Sequence, residues 1–575
     1  MLFAFCVRYH LLACDYDGTI ASDGRVYPET VAGLRKAAES GRKLVLVTGR
    51  ELGELLQVFP EIDLFDWVVA ENGGLLYRPA SREEFALAPE PPEALVALLR
   101  ERGVVPLSIG RTIVATWEPH ETTVLGAIRE LGLELQVIFN KGAVMVLPSS
   151  VNKRSGLEAV LERLGLSAHN CVGVGDAEND HAFLSLCEFS VAVSNALPAV
   201  KESADFVTTV DHGAGVLELI DRLLADDLAS LDTRPERRHV TLGAFDDGAE
   251  MSIAAIGPVV LVAGSSGSGK STAAIALLER LAARDYQVCI IDPEGDHEEL
   301  ASAVVLGSAE HPPDVEQLLK TLAQPRTHAV VNLLAINIAD RPQFFLNLWT
   351  RLQQMRAATG RPHWIAIDEA HHVLDSAFEP MQLALPAELS STVLITVHPE
   401  RLHTALLSHV DFAIGVGPEA GATLGAFAGA LGEAAPTVES LPEQPGQVLL
   451  WQRDTGEARK VTLAAGRATQ RRHRRKYAQG ELGPDKSFYF RGADSKLNLR
   501  AQNLVVFNDI GAGVDDETWL YHLANGDYSA WIRDAIKDDG LAQSVGEVER
   551  EIELSPQDSR QKIRRLIEDV YTAPA

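Results

Sequence analysis

Short apolar runs alternate with amphipathic stretches from the start of the chain. Leu11–Cys14 is apolar, Pro28–Ser40 carries apolar residues at helical spacing, and Lys43–Val47 is apolar and β-branched. Strands that alternate with helices predict a parallel, doubly wound sheet. The pattern runs to about Leu224. Asp226–Arg238 is charged, contains Pro235 and reads as a linker. A second α/β pattern follows, from about His239 to Leu463. Its predicted strands include Val259–Ala263, Val288–Asp292, Ala329–Leu333, Trp364–Ile367 and Val393–Val397, with a helix over Thr272–Ala283. The last part, about Ser487–Ala575, is predicted to be mostly helical. The sequence carries no fixed-period repeat and no low-complexity tract.

Composition narrows the class. A chain of 575 residues with 46% hydrophobic residues has material for several cores. The net charge of −28 argues against a protein that coats nucleic acid with its whole surface. A local basic run remains: Arg467, Arg471, Arg472, Arg474, Arg475 and Lys476, with no acid among them. It reads equally as a solvated linker or as a site for nucleic acid or an acidic partner. No apolar run approaches the ~18 residues of a membrane span. Cys6, Cys14, Cys171, Cys187 and Cys289 show no CxxC spacing and read as reduced thilos of a cytoplasmic protein. Met1–Ala13 is apolar but leads directly into Asp15, so no cleaved targeting segment is expected.

The first chemical constellation begins at Asp15-Tyr16-Asp17-Gly18-Thr19. A carboxylate needs no deprotonation near neutral pH and can attack phosphorus to leave an acyl-phosphate. Two anionic groups meet only with help, so such a site needs Mg²⁺ and a cation. Asp15 ends a strand and is the expected nucleophile; Asp17 is the expected acid and base. Thr48 ends a second strand, where hydroxyl and backbone N–H groups can hold a phosphoryl oxygen. Lys153 opens a helix and can neutralise charge. Asp176 and Asp180, in Gly173–Asp180, complete an oxygen-rich metal shell with Asp15 and Asp17.

This ordered set resembles the haloacid dehalogenase superfamily, most closely its Cof-type branch with an α/β cap. Glu71-Asn72-Gly73-Gly74, the GDxxND form of the last motif, and Ser194-Asn195-Ala196 ahead of Ala204-Asp205 match that branch. The resemblance implies a Rossmann-like core at 1–74 and 148–225 and a cap at 75–147 that closes over a small phosphorylated metabolite. Arg111 and Lys141 are cap positions to inspect for substrate contacts, although each reads more readily as a surface charge.

The second constellation is Gly264-Ser265-Ser266-Gly267-Ser268-Gly269-Lys270-Ser271-Thr272, between a predicted strand and a predicted helix. This is a P-loop: backbone N–H groups cradle phosphates, Lys270 reaches the β- and γ-oxygens, and Ser271 ligates Mg²⁺. Its partner is Asp368-Glu369, after an apolar strand. Asp368 is the expected metal-shell acid and Glu369 the residue that polarises water, which favours ATP hydrolysis over phosphoryl transfer. Ile291–Asp296 and Ile395–Arg401 add a resemblance to HerA/FtsK-like ATPases, most closely the HerA type. That resemblance implies a RecA-like fold, a polar sensor at Thr396 or His398, a hexameric ring, and an arginine finger from a neighbouring subunit. Arg341, Arg351, Arg356 and Arg401 are open candidates for the finger.

The expected protein is thus α/β throughout. It has a capped domain over 1–225, a linker over 226–238, an ATP-binding domain over 239–466, a basic linker over 467–486 and a helical module over 487–575. The leading reading is a Mg²⁺-dependent phosphohydrolase fused to an ATP-hydrolysing motor. One rival is an enzyme that processes nucleic-acid ends, or a DNA-processing ATPase. Another is an ATP-binding domain that serves as a nucleotide-gated scaffold. The tail aromatics, Trp519 and Trp531 among them, read as core rather than as a ligand platform.

Overall fold

The computed structural model describes residues 7–140, 142–231, 238–295, 297, 303–376, 389–438, 440–453, 455–464, 482, 487–493, 496–536, 538–551 and 554–571. Lys141 and the basic run Arg467–Lys476 fall outside them. Two compact units emerge: one holds most residues up to Leu463, and the other is built mainly from Ala464–Ala575.

The larger unit contains two main sheets. The first has eight strands, ordered Phe206–Val207, Phe189–Ala192, Cys171–Gly175, Leu11–Asp15, Lys43–Val47, Trp67–Ala70, Leu75–Arg78 and Glu83–Ala86. The first six are parallel. All residues of Leu11–Asp15 are buried, as a central parallel strand covered on both faces requires. Asp15 pairs with Val47 and Cys14 with Val174, so the loops after these strands open at one edge. Asp15, Thr48 and Asp176 therefore meet there.

The cap differs from expectation at its start. Leu75–Arg78 and Glu83–Ala86 extend the first sheet as an antiparallel hairpin. Leu75, Leu76 and Tyr77 are buried against the core, which holds them there. A separate antiparallel sheet is formed by Leu135–Asn140, Ala143–Pro148, Val114–Trp117 and Ser108–Ile109. Helices Glu93–Glu101 and Glu121–Glu130 pack on it through Leu95, Leu99, Val124 and Ala127.

The second main sheet has twelve strands. Its parallel centre runs Phe412–Val416, Val259–Gly264, Thr392–Thr396, Trp364–Ile367, Val288–Asp292, His328–Asn332 and Ala303–Leu306. Gln447–Gln452, Glu457–Leu463, His239–Phe245 and Glu250–Ala254 extend one side antiparallel, and the short Thr437–Val438 pairs parallel with Glu457–Leu463 as the twelfth. The helix after the P-loop spans Lys270–Ala282, two residues ahead of its predicted start.

The two sheets touch near the starts of their strands. Tyr286, two residues before Val288–Asp292, stacks on His169, just before Cys171–Gly175, with ring centroids 3.8 Å apart. Glu188 accepts from the Tyr286 hydroxyl at 3.2 Å and lies 2.6 Å from His169 Nδ1. Arg361 donates to Gly165 O, and His363 stands edge-on to His169.

In the second unit the hairpin Phe488–Phe490/Leu499–Ala501 precedes the helices. Phe488, Phe490, Phe507, Trp519, Tyr528 and Trp531 are buried together, so the aromatics are core. Among the described residues no helix is long and apolar enough to cross a membrane.

Candidate active sites

The first site is a buried charge cluster at the opening of the first sheet. Lys153 Nζ lies 2.6 Å from Asp15 Oδ1 and 2.5 Å from Asp180 Oδ1. Asn152 caps the helix Lys153–Leu164 by accepting from Ser155 N, which fixes where Lys153 leaves the backbone. Asp180 is held in turn: its Oδ2 accepts from Asp176 N and Ala177 N, each at 2.9 Å. Thr19 Oγ1 donates to Asp176 Oδ1 at 3.2 Å. Asp15, Asp176 and Asp180 are all buried, with ligand oxygens within 4.8 Å of one another.

Three carboxylates face one ammonium here. Burial pushes the Asp15 carboxyl well above its ordinary range, the neighbouring Asp180 adds to that, and Lys153 opposes it. For Lys153, burial works against the charge, but Asp15 and Asp180 outweigh it and raise its pKa. The excess negative charge and all-oxygen donor set fit a hard divalent cation such as Mg²⁺. Asp17, expected in the metal shell, stands outside this three-acid cluster. Its two oxygens accept from Arg50 Nε and Nη2, both at 2.7 Å. Thr48 is buried at the strand end; its Oγ1 accepts from Arg50 N at 3.1 Å.

Arg111 does not reach the cluster: its exposed guanidinium lies 3.5 Å from Glu90 and 3.8 Å from Glu84. Over the opening lies the cap, where Met145 joins Ile113, Leu147 and Val151 in an apolar patch. A Cβ added to Gly49 would sit 3.6 Å from Met145 Sδ.

The second site lies at the end of Val259–Gly264. Gly267 and Gly269 adopt φ of +76° and +100°, the left-handed region the loop needs. Lys270 Nζ donates to Ser265 O at 3.1 Å. Burial lowers the Lys270 pKa, although Glu369 and Asp368 work to raise it. Ser271 and Thr272 follow Lys270 in the first turn of the helix Lys270–Ala282.

Asp368 and Glu369 follow the strand next but one to the P-loop strand. Asp368 pairs with His297 Nε2, and His297 N donates to Asp292 Oδ2 at 2.7 Å. These three buried residues form a second group with ligand atoms within 4.8 Å. The motif reading missed His297 because it lies far from Asp368 in sequence. Burial pushes the Glu369 carboxyl up to about 7, against Lys270 and with Asp368. Its φ of +37° is a strained value for a residue with a side chain.

Of the two sensor candidates, Thr396 is buried and lies 3.1 Å from His371 Nδ1, which is 3.5 Å from Glu369 Oε2. His398 bonds Glu400. Among the arginines, Arg356 is buried and donates to the carbonyls of Pro362, Ser390, His363 and Ser391. Arg341 is buried and donates to Ile336 O. Arg351 is partly exposed and pairs with Glu316, and Arg401 is exposed and pairs with Asp375.

A family model for haloacid dehalogenase-like hydrolases matches residues 12–109 and 129–220. A second, described as the central domain of helicase HerA, matches residues 252–350. A phosphoglycolate phosphatase from Methanothermobacter thermautotrophicus is 34% identical over 222 residues, which is 37% of this chain and 98% of that one. Phosphoglycolate phosphatase 2 of Saccharolobus solfataricus is 31% identical over 222 residues, or 37% of this chain and 92% of its own length. A solved haloacid dehalogenase-like hydrolase from Bacteroides thetaiotaomicron aligns with 37% of this chain and 99% of its own, at 20% identity and TM-score 0.33. Through its N-terminal region the chain belongs to the haloacid dehalogenase-like hydrolases, and a HerA-type ATPase domain follows in the same polypeptide.

Proposed function

We propose that the first site is a Mg²⁺-dependent phosphomonoesterase that works through an aspartyl-phosphate on Asp15. The observation that carries this reading is the buried contact of Lys153 with both Asp15 and Asp180 at the end of the central strand. Asp15 attacks phosphorus through one carboxylate oxygen, and the bond from phosphorus to the ester oxygen breaks. Asp17 gives its proton to the departing alkoxide. Asp17 then takes a proton from water, which attacks phosphorus and frees both phosphate and Asp15. Thr48 and Lys153 hold phosphoryl oxygens meanwhile. Asp15, Asp176 and Asp180 would hold Mg²⁺, which when bound supplies positive charge to the phosphoryl group.

The cap's apolar patch over the opening supports a small substrate. The named activity of the relatives supports a short phosphorylated hydroxy acid, phosphoglycolate first. The second domain hydrolyses ATP: Lys270 binds the phosphates, Ser271 and Asp368 serve the Mg²⁺ shell, and Glu369 orients water. We extend this to a homo-hexamer in which an arginine at least partly open to solvent, Arg351 or Arg401, completes the neighbour's site. The test is phosphate release from a panel of phosphorylated metabolites, with Mg²⁺ and then with chelator. Release from phosphoglycolate that stops on chelation is expected; release only from nucleic-acid ends would defeat the small-substrate reading.

A further inference from the structure

The Glu71-Asn72-Gly73-Gly74 turn has no role in the chemistry above, yet it joins the cap to the catalytic loops. Glu71 is 1% exposed, and its carboxylate accepts three hydrogen bonds from one cap loop. Arg111 N donates to Oε1 at 3.0 Å; Thr112 N and Thr112 Oγ1 donate to Oε2 at 2.7 and 2.9 Å. The fit is tight: a Cβ on Gly110 would lie 2.6 Å from Glu71 Oε1.

The other side of the turn touches the active site. Glu71 N donates to Arg50 O at 2.9 Å and Asn72 N to Thr48 O at 3.0 Å. Asn179 Nδ2 donates to Asn72 Oδ1 at 3.2 Å. A Cβ on Gly73 would fall 1.9 Å from Asn152 O, beside Lys153. Glu71, Asn72 and Gly73 all adopt positive φ, +51°, +51° and +106°. Two non-glycine residues in succession in that region store strain, which surrounding contacts must hold in place.

We propose that Glu71 is the latch that holds the cap over the phosphatase site, a positioning residue that favours substrates small enough to fit beneath it. A buried carboxylate is tolerable only with its donors in place. Lifting the cap loop strips Glu71 of all three donors named here and must hydrate it instead. The closed position is therefore well defined, and opening it must wet the buried Glu71 together with Thr112. This proposal rests on the phosphatase reading of Asp15.

The test compares Glu71→Ala and the milder Thr112→Val with wild type. With a small phosphomonoester, KM is expected to rise about tenfold in Glu71→Ala and less in Thr112→Val, a loss equivalent to about 1.4 kcal/mol. kcat should stay within about threefold of wild type, and kcat/KM for a bulky aryl phosphate should rise relative to the small ester. A purely structural role would instead lower kcat for both esters together, and an unchanged ratio in both variants overturns the latch. Amide exchange gives a readout without turnover, so a wild type inactive on every ester would defeat the phosphatase reading and leave the latch testable. Arg111 and Thr112 amides should exchange faster in Glu71→Ala while Leu11–Asp15 stays protected; equal exchange at Arg111 and Thr112 overturns the proposal.

Discussion

Arg50 grips the Asp17 carboxylate through two parallel hydrogen bonds, each 2.7 Å long. A carboxylate held by both oxygens is well oriented, but it has no proton to give in that arrangement. On the proposed role of Asp17 as the acid, Arg50 sets a waiting position, and one of these bonds must loosen before Asp17 takes up a proton. Arg50→Lys keeps the positive charge and loses the planar fork. Steady-state kinetics on a phosphomonoester should show kcat reduced about 10- to 100-fold, within what a positioned acid–base group supplies, and KM changed much less. An unaltered kcat would mean that Asp17 does not depend on this pair.

Lys153 is 1% exposed and stands against two of the three clustered acids. Lys153→Met leaves those carboxylates facing one another without a cation. In chelator, denaturant unfolding should show a loss of about 3–5 kcal/mol, the usual cost of removing one partner from a buried ion pair. Added Mg²⁺ should restore part of it, since the metal binds the folded cluster. Equal midpoints for variant and wild type would contradict the account.

The ATPase half gives an independent pair of variants. Glu369→Gln should retain ATP binding and lose turnover by about 100-fold or more. Lys270→Ala should lose binding itself, read with a fluorescent nucleotide. Binding of normal strength in Lys270→Ala would remove the P-loop from the account.

His363 makes the contact between the two sheets sensitive to acid. Burial holds its pKa well below 6.5, and the charges of His169, Arg361, Arg356 and Arg8 add to that. Its Nδ1 accepts from Gln287 N at 2.7 Å, a bond that protonation there would break. The native state thus resists a proton that the unfolded chain takes up below about pH 6.5. Stability is unaffected by His363 above that pH and declines as pH falls beneath it. Thermal midpoints should drop by a few degrees between pH 7 and pH 5.5 in wild type and drop less in His363→Asn, whose amide oxygen can still accept. Parallel curves would show that His363 does not set the acid limb.

The placing of Asp15, Asp176, Asp180 and Lys153 at one opening is legible because these residues sit in short linear patterns. Asp15 and Asp17, Lys270 and Ser271, and Asp368 and Glu369 are each bound to fixed turns at strand ends, so spacing alone marks them. The alternation of apolar runs gave the parallel centres of both sheets for the same reason. What escaped depends on residues distant in sequence. Arg50 sits in the Thr48–Arg50 motif, but nothing in that motif says that its guanidinium seeks Asp17. His297 meets Asp368 only because Val288–Asp292 and Trp364–Ile367 are neighbours in the sheet. Glu71 meets Thr112 only through the docking of a separate sheet. The hairpin at Leu75 reads as part of the cap in sequence because strand order along the chain does not reveal which sheet an edge strand joins.

The most direct test of the central claim is phosphate release from phosphoglycolate by Asp15→Asn beside wild type, in Mg²⁺, with ATP hydrolysis measured on the same samples. The account predicts release by wild type, none above background by Asp15→Asn, and ATP turnover intact in both. Release by Asp15→Asn at the wild-type rate would contradict Asp15 as the nucleophile.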